Sequence, residues 1–109
     1  MKRLLLSSII LFMASTGLMA EQAVLADPQS GFVYAKEVCA NCHAIVSNET
    51  SPVPDAPTFN EIANRPGMSA KALFEWMQTT HPTMPNITLE QEDLMDVIFY
   101  ILSHKDKRR

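Results

Sequence analysis

The sequence predicts an all-α domain, and three observations carry that prediction. No stretch alternates apolar and polar residues with the two-residue period of a half-buried strand. Four segments instead place apolar residues at helical spacing, each opened by a residue suited to capping a helix. The chain has 109 residues, enough for one hydrophobic core and too few for two. With 47% hydrophobic and 19% charged residues, its composition is that of a folded module and not of a disordered chain.

The elements follow in order. Met1-Lys2-Arg3 is a basic start, and Leu4 to Ala20 is an apolar run with only small polar interruptions, the pattern of a secretory signal. Residues 1–26 are read as that signal, with cleavage after Ala20 or after Ala26, and residues 27–109 as the domain. The apolar run is at the short end of the roughly 17 to 25 residues that span a bilayer, so an exported, periplasmic chain without stable membrane insertion after signal cleavage is expected, with an uncleaved membrane anchor as the alternative. No cysteine lies near either cleavage site, which excludes a lipid-modified amino terminus.

Asp27-Pro28 reads as an N-cap followed by proline at the first helical position, and Phe32, Ala35, Val38, Cys39 and Cys42 extend a first helix from about 28 to 43. Residues 44–56, rich in Ser, Asn and Pro, form a loop. Thr58-Phe59-Asn60-Glu61 is a capping-box pattern for a short second helix that Arg65-Pro66-Gly67 stops. Ser69 caps a third helix, in which Leu73, Phe74 and Met77 share a face and Lys71 pairs with Glu75. Thr79-Thr80-His81-Pro82 ends it, and 80–88 is a second loop. Thr88-Leu89-Glu90-Gln91 reads as another capping box, placing Glu90, Glu92 and Asp93 in the first turn of the last helix. Leu94, Val97, Ile98, Ile101 and Leu102 then form a clean buried stripe.

Charge narrows the function classes. Nine Lys+Arg against twelve Asp+Glu give −3, which argues against a general nucleic-acid binder. Residues 27–104 carry three basic and ten acidic side chains, whereas Lys105, Lys107, Arg108 and Arg109 crowd the end, a solvated basic tail that complements the helix dipole.

Both cysteines of the protein sit in Cys39-Ala40-Asn41-Cys42-His43, the C-x-x-C-H pattern of covalent c-type haem attachment. On a helical turn, residues three and four apart share a face, so two thiols reach the two vinyl groups of one porphyrin while His43 points at its iron. The rival readings are weaker. A thioredoxin-like pair needs a βαβ setting, a disulfide across this spacing is strained, and zinc needs a fourth ligand such as His81 or His104.

Iron held by His43 has a sixth position, and its occupant decides between electron transfer and ligand chemistry. Met77 and Met95 lie inside helices and Met68 precedes one, positions that suit core packing. Met84 lies in Pro82-Thr83-Met84-Pro85-Asn86, where two prolines stiffen the backbone around a thioether. His81 reads as a turn histidine, with distal ligation as its alternative, and His104 as a surface residue at the helix end.

The chain resembles the class I c-type cytochromes, small bacterial monohaem electron carriers. The resemblance rests on Gly31, eight residues before Cys39, on Cys39-Ala40-Asn41-Cys42-His43, on Met84-Pro85, and on a final helix carrying Tyr100. It implies a small helical fold wrapped around one covalent haem c, with Cys39 and Cys42 as attachment points, His43 as the proximal iron ligand and Met84 as the distal one. It also implies that Gly31 lets the first and last helices cross closely near Phe99-Tyr100. A proline carbonyl orients the proximal imidazole in the family; here Pro52, Pro54 and Pro57 are the candidates. Trp76 has two readings, a partner of a haem propionate or a core or edge residue.

With histidine and methionine on the iron, no position is open for oxygen or peroxide, and methionine raises the potential. The expected function is a periplasmic one-electron carrier, not an enzyme, docking transiently on donor and acceptor proteins. A dedicated cytochrome subunit of a dehydrogenase is the alternative. A haem sensor or peroxidase-like protein would require Met84 to be absent from iron or readily displaced.

Overall fold

The computed structural model describes residues 25–79 and 82–106. Most of the expected secretory signal, His81 and the last three basic residues of the tail lie outside the described residues. Four α-helices follow one another: α1 Pro28–Glu37, α2 Phe59–Ala63, α3 Ala70–Gln78 and α4 Gln91–Leu102, with a 3-10 turn at Cys39–Asn41. No strand occurs among the described residues, as the absence of two-residue periodicity predicts.

Helix α1 starts as its sequence dictates. The Asp27 side chain accepts hydrogen bonds from the Gln29 amide at 3.0 Å and the Ser30 hydroxyl at 2.8 Å, and Pro28 occupies a position whose missing N–H costs nothing. These two bonds, the Ser30 hydroxyl first, hold the Asp27 carboxyl below its ordinary value.

The end of α1 differs from the expected run to residue 43. The helix stops at Glu37, because the Asn41 amide donates to the carbonyls of Glu37 and Val38 and competes with the helical ladder for them. The chain then tightens into the 3-10 turn, where side chains three apart eclipse. The shared face of Cys39 and Cys42 therefore comes from a tighter turn than an α-helix.

Helix α2 has the full reciprocal cap: the Glu61 amide donates to Thr58 Oγ1 at 3.0 Å, and the Thr58 amide to Glu61 Oε2 at 2.8 Å. Beyond it the chain turns through Gly67, whose φ of 76° favours glycine. Ser69 caps α3 through the Ala72 amide, and Lys71 and Glu75 pair at 3.7 Å on the exposed side.

The second expected capping box does not form. Helix α4 begins at Gln91, with Glu90 as an N-cap that makes no side-chain bond. Leu89 packs partly buried against the core, which holds the segment before the helix extended. Glu92 and Asp93 do occupy the first turn.

Leu94, Val97, Ile98 and Ile101 are buried as one stripe, with Leu102 half-buried beside it. They join Ala35, Ile45, Phe59, Ala63 and Leu73 in a single core. The most extensive packing is α1 against α4. Their crossing is centred on Gly31, where a Cβ atom would overlap the Asp96 carbonyl and lie 2.9 Å from Tyr100 Cβ. This contact buries Asp96 to 7% exposure, a position off the apolar stripe that its spacing does not flag. Its carboxylate accepts from the Asp27 amide at 2.7 Å, tying α4 to the start of α1. Ala35 is buried, and the Phe32 and Tyr100 rings meet at the crossing with centroids 5.3 Å apart.

The carboxyl end of α4 is fastened to α2. The Asn64 amide donates to the His104 carbonyl at 3.1 Å, and Asn64 Oδ1 accepts from the Asp106 amide at 2.8 Å. Lys105 reaches the Met68 carbonyl at 2.9 Å.

Candidate functional site

The 3-10 turn brings three of the four expected site residues together. The amides of Cys42 and His43 both donate to the Cys39 carbonyl, at 3.1 and 2.9 Å, so the chain closes on itself around the motif. Both cysteines are half-buried and unbridged. Burial pushes the Cys39 thiol up to about 11, opposite to the depressed value of a redox-active nucleophile. With no strand in the described residues, the thioredoxin-like reading has neither its fold nor its chemistry. Among the described residues no three His, Cys, Asp or Glu side chains form a metal-holding group; His81, one of the candidate fourth zinc ligands, lies outside them.

His43 is half-buried, and its Nδ1 lies 2.5 Å from the Pro57 carbonyl. A carbonyl only accepts, so Nδ1 carries the hydrogen and Nε2 keeps a lone pair for a metal. Among the three candidate prolines, Pro57 makes this bond. It is held there by its neighbours: Thr58 caps α2, and the Phe59 amide donates to the Ala44 carbonyl at 2.9 Å. The intervening loop is braced from inside, since buried Ser51 accepts from the Ala44 amide at 3.0 Å and the Val53 amide donates to the Cys42 carbonyl at 3.2 Å. Phe59 stacks obliquely on the His43 ring, with centroids 5.8 Å apart.

Met84 stands outside that turn, in the segment between α3 and α4. It is half-buried and lines a cavity of about 280 Å³ with Met77, Pro85, Ile87, Leu89 and Leu94. Leu94 and Phe59, the neighbours of Met84 and His43 respectively, both belong to the one core. Met77 shares the cavity wall, a placement that helical spacing alone does not distinguish from ordinary packing. Trp76 is 55% exposed, which removes the core reading for it.

Sequence reasoning missed two residues around this site. The Tyr100 hydroxyl donates to the Ile45 carbonyl at 2.6 Å and pins the chain two residues beyond His43. Burial, reinforced by Glu49, pushes the Tyr100 phenol up and keeps it a donor. His104, expected on the surface, instead turns its ring inward against Tyr100, with centroids 5.0 Å apart. Polarity and position near the chain end gave no signal of this; the i,i+4 spacing from Tyr100 did.

Two half-buried thiols on one turn, an imidazole with a fixed tautomer and an adjoining apolar core are the parts that a covalently attached haem requires. Cytochrome c-552 of Bradyrhizobium diazoefficiens is 32% identical to this chain over 82 residues, covering 75% of this chain and 79% of that protein. The chain belongs to the class I c-type cytochromes. It is accordingly an electron-transfer protein and not an enzyme, and its cofactor is covalently bound haem c. The helices agree with the small all-α fold of this family. No family model matches the sequence, and no solved structure does.

Proposed function

We propose that this cytochrome is a periplasmic one-electron carrier, with Cys39 and Cys42 joined to the haem by thioether bonds and with His43 and Met84 as the axial iron ligands. The observation that carries this reading is the bond from His43 Nδ1 to Pro57, which leaves Nε2 as the donor atom. Bound haem supplies exchange of a single electron between ferric and ferrous iron.

The chain's own residues set the conditions of that exchange. Cys39 and Cys42 make the attachment permanent, and Pro57 prevents the His43 ring from rotating. Phe59 and the α4 stripe exclude water from the core, and low polarity there disfavours the added positive charge of ferric iron. The Met84 thioether, stiffened by Pro82 and Pro85, closes the sixth position to small ligands. Residues 1–26 act as the export signal and are removed after Ala20 or Ala26, leaving the haem domain. Among the described residues no helix is long and apolar enough to cross a membrane.

The test is optical. Protein expressed with its signal in a cell competent for haem attachment should carry covalent haem, show a sulfur-to-iron charge-transfer band when oxidised, and resist carbon monoxide when reduced. Met84→Ala should lose the band and bind carbon monoxide. Ready binding by the native protein overturns methionine ligation and supports a sensor or peroxidase-like role. Co-purification of a large partner in fixed ratio supports a dedicated dehydrogenase subunit.

A further inference from the structure

His104 follows the carboxyl end of α4, and its half-buried ring turns towards the aromatic side chains there. It lies edge-on to Tyr100, at 5.0 Å and 82°, and to Phe59, at 6.4 Å and 73°. Its Nδ1 is 3.4 Å from the Ser47 hydroxyl, a long contact. Its Nε2 is shielded from solvent and has no hydrogen-bond partner among the described residues. An unpaired polar nitrogen in an aromatic setting costs desolvation energy that a phenylalanine in the same place would not. The Phe59 ring contacts both this imidazole, at 6.4 Å, and that of His43, at 5.8 Å.

We propose that His104 is a proton-binding site coupled to the electron this cytochrome carries: when one electron arrives from a donor protein, Nε2 binds a proton from water more tightly and its protonated fraction rises, and when that electron leaves for an acceptor the fraction falls and the proton returns to water. The inference rests on the reading that places the haem iron at His43. Oxidation adds a positive charge at the iron, and an imidazolium one aromatic ring beyond His43 is repelled by it through a medium of low polarity. The reduced protein therefore binds the proton more tightly than the oxidised one. By linkage, the protonated protein binds the electron more tightly, which raises its reduction potential.

Among the described residues, the titratable and charged groups facing His104 come from three elements. On α4, Tyr100 stays neutral because burial raises its phenol; in the segment after it, Lys105 donates to the Met68 carbonyl and the Asp106 backbone amide donates to Asn64. From α2 come Phe59, which does not titrate, Asn64, which binds the His104 carbonyl, and Glu61, which is occupied in the helix cap; Arg65 follows, exposed. From the loop after the motif come Ser47 and exposed Glu49. Burial pushes the His104 imidazole below its ordinary 6.5, while the Ile45 carbonyl pulls the other way and favours the charged ring. The helix dipole also favours the cation.

The experiment uses the full haem-loaded protein. The His104 ring protons are followed by NMR from about pH 5 to about pH 8 in both oxidation states, and the midpoint potential is measured over the same range. The expected result is a higher His104 pKa in the reduced protein, with a potential that falls as pH rises. A tenfold difference in proton affinity between the two states corresponds to a 59 mV change in potential. His104→Phe and His104→Asn, one keeping the aromatic packing and one keeping polarity, should both lose this pH dependence while keeping the absorption spectrum. An identical His104 pKa in both states, or a slope that survives in both variants, overturns the proposal. A His43→Ala variant that retains the native iron spectrum overturns the underlying placement of the iron; a spectrum that depends on His43, with a redox-insensitive His104, overturns only the proton coupling.

Discussion

His43 and His104 show how far single residues can be read. His43 is legible because two cysteines precede it at a spacing that one chemistry explains, whereas its Pro57 partner depends on how residues 44–58 fold back, which spacing among three prolines does not reveal. His104 misleads because its neighbours in sequence are charged, while its neighbours in space are Tyr100 and Phe59. The structure assigns it a pH effect on stability that is separate from its redox role. Burial lowers its folded-state pKa, so protons bind the unfolded chain more readily. Its contribution is complete above the ordinary value of 6.5 and is lost as pH falls through that value towards the lower folded one. Urea midpoints of the oxidised protein should therefore drop from about pH 7 to about pH 5 more steeply than those of His104→Phe. Parallel curves for the two proteins would refute this assignment.

At the scale of elements, caps and glycine carry more than propensity does. Three of the four helix starts follow from a residue that reaches back to the backbone: Asp27, Thr58 and Ser69 all cap as their sequence patterns indicate. Thr88 fails in the same role because Leu89 is drawn to the core, so tertiary packing overrides a local pattern. The early end of α1 has a comparable origin in Asn41, whose side chain competes with the ladder. Thr58→Ala removes the cap of α2 and should cost about 1 kcal/mol by chemical denaturation. Because Thr58 adjoins Pro57, the same variant should also shift the His43 ring resonances; stability loss without such a shift would separate the cap from the imidazole. Gly31→Ala is more severe. A methyl group has no space against the Asp96 carbonyl, and α1 and α4 must separate to admit it, at a cost of about 3 kcal/mol. A native-like denaturation midpoint for Gly31→Ala would mean that the two helices cross less closely than described.

The whole molecule is legible as an all-α haem domain because its fold and its cofactor solve one problem. A domain of this size has a small core of its own, here centred on Ile98 and its neighbours, and a covalent cofactor adds apolar surface that unfolding cannot release. Met84, the proposed distal ligand, shows where such reading stops: its loop singles it out in sequence, but its cavity, shared with Met77, is a product of how α3 and α4 pack. Charge is the other property that belongs to the molecule as a whole. With eleven acidic and seven basic side chains over residues 27–109, this part of the chain carries −4 and its field is negative, so encounter with a basic partner surface is accelerated at long range. Redox partners of this kind meet through small interfaces, where steering affects the association rate more than the lifetime of the complex. Electron transfer with a basic redox protein, measured by stopped flow under second-order conditions, should slow as ionic strength rises from about 0.01 to about 0.15 M, because the screening length shortens from roughly 30 to roughly 8 Å. An acidic redox protein of similar driving force should show the opposite trend. Rates independent of salt with both proteins would mean that docking is governed by the apolar contact alone and that the acidic body serves solubility.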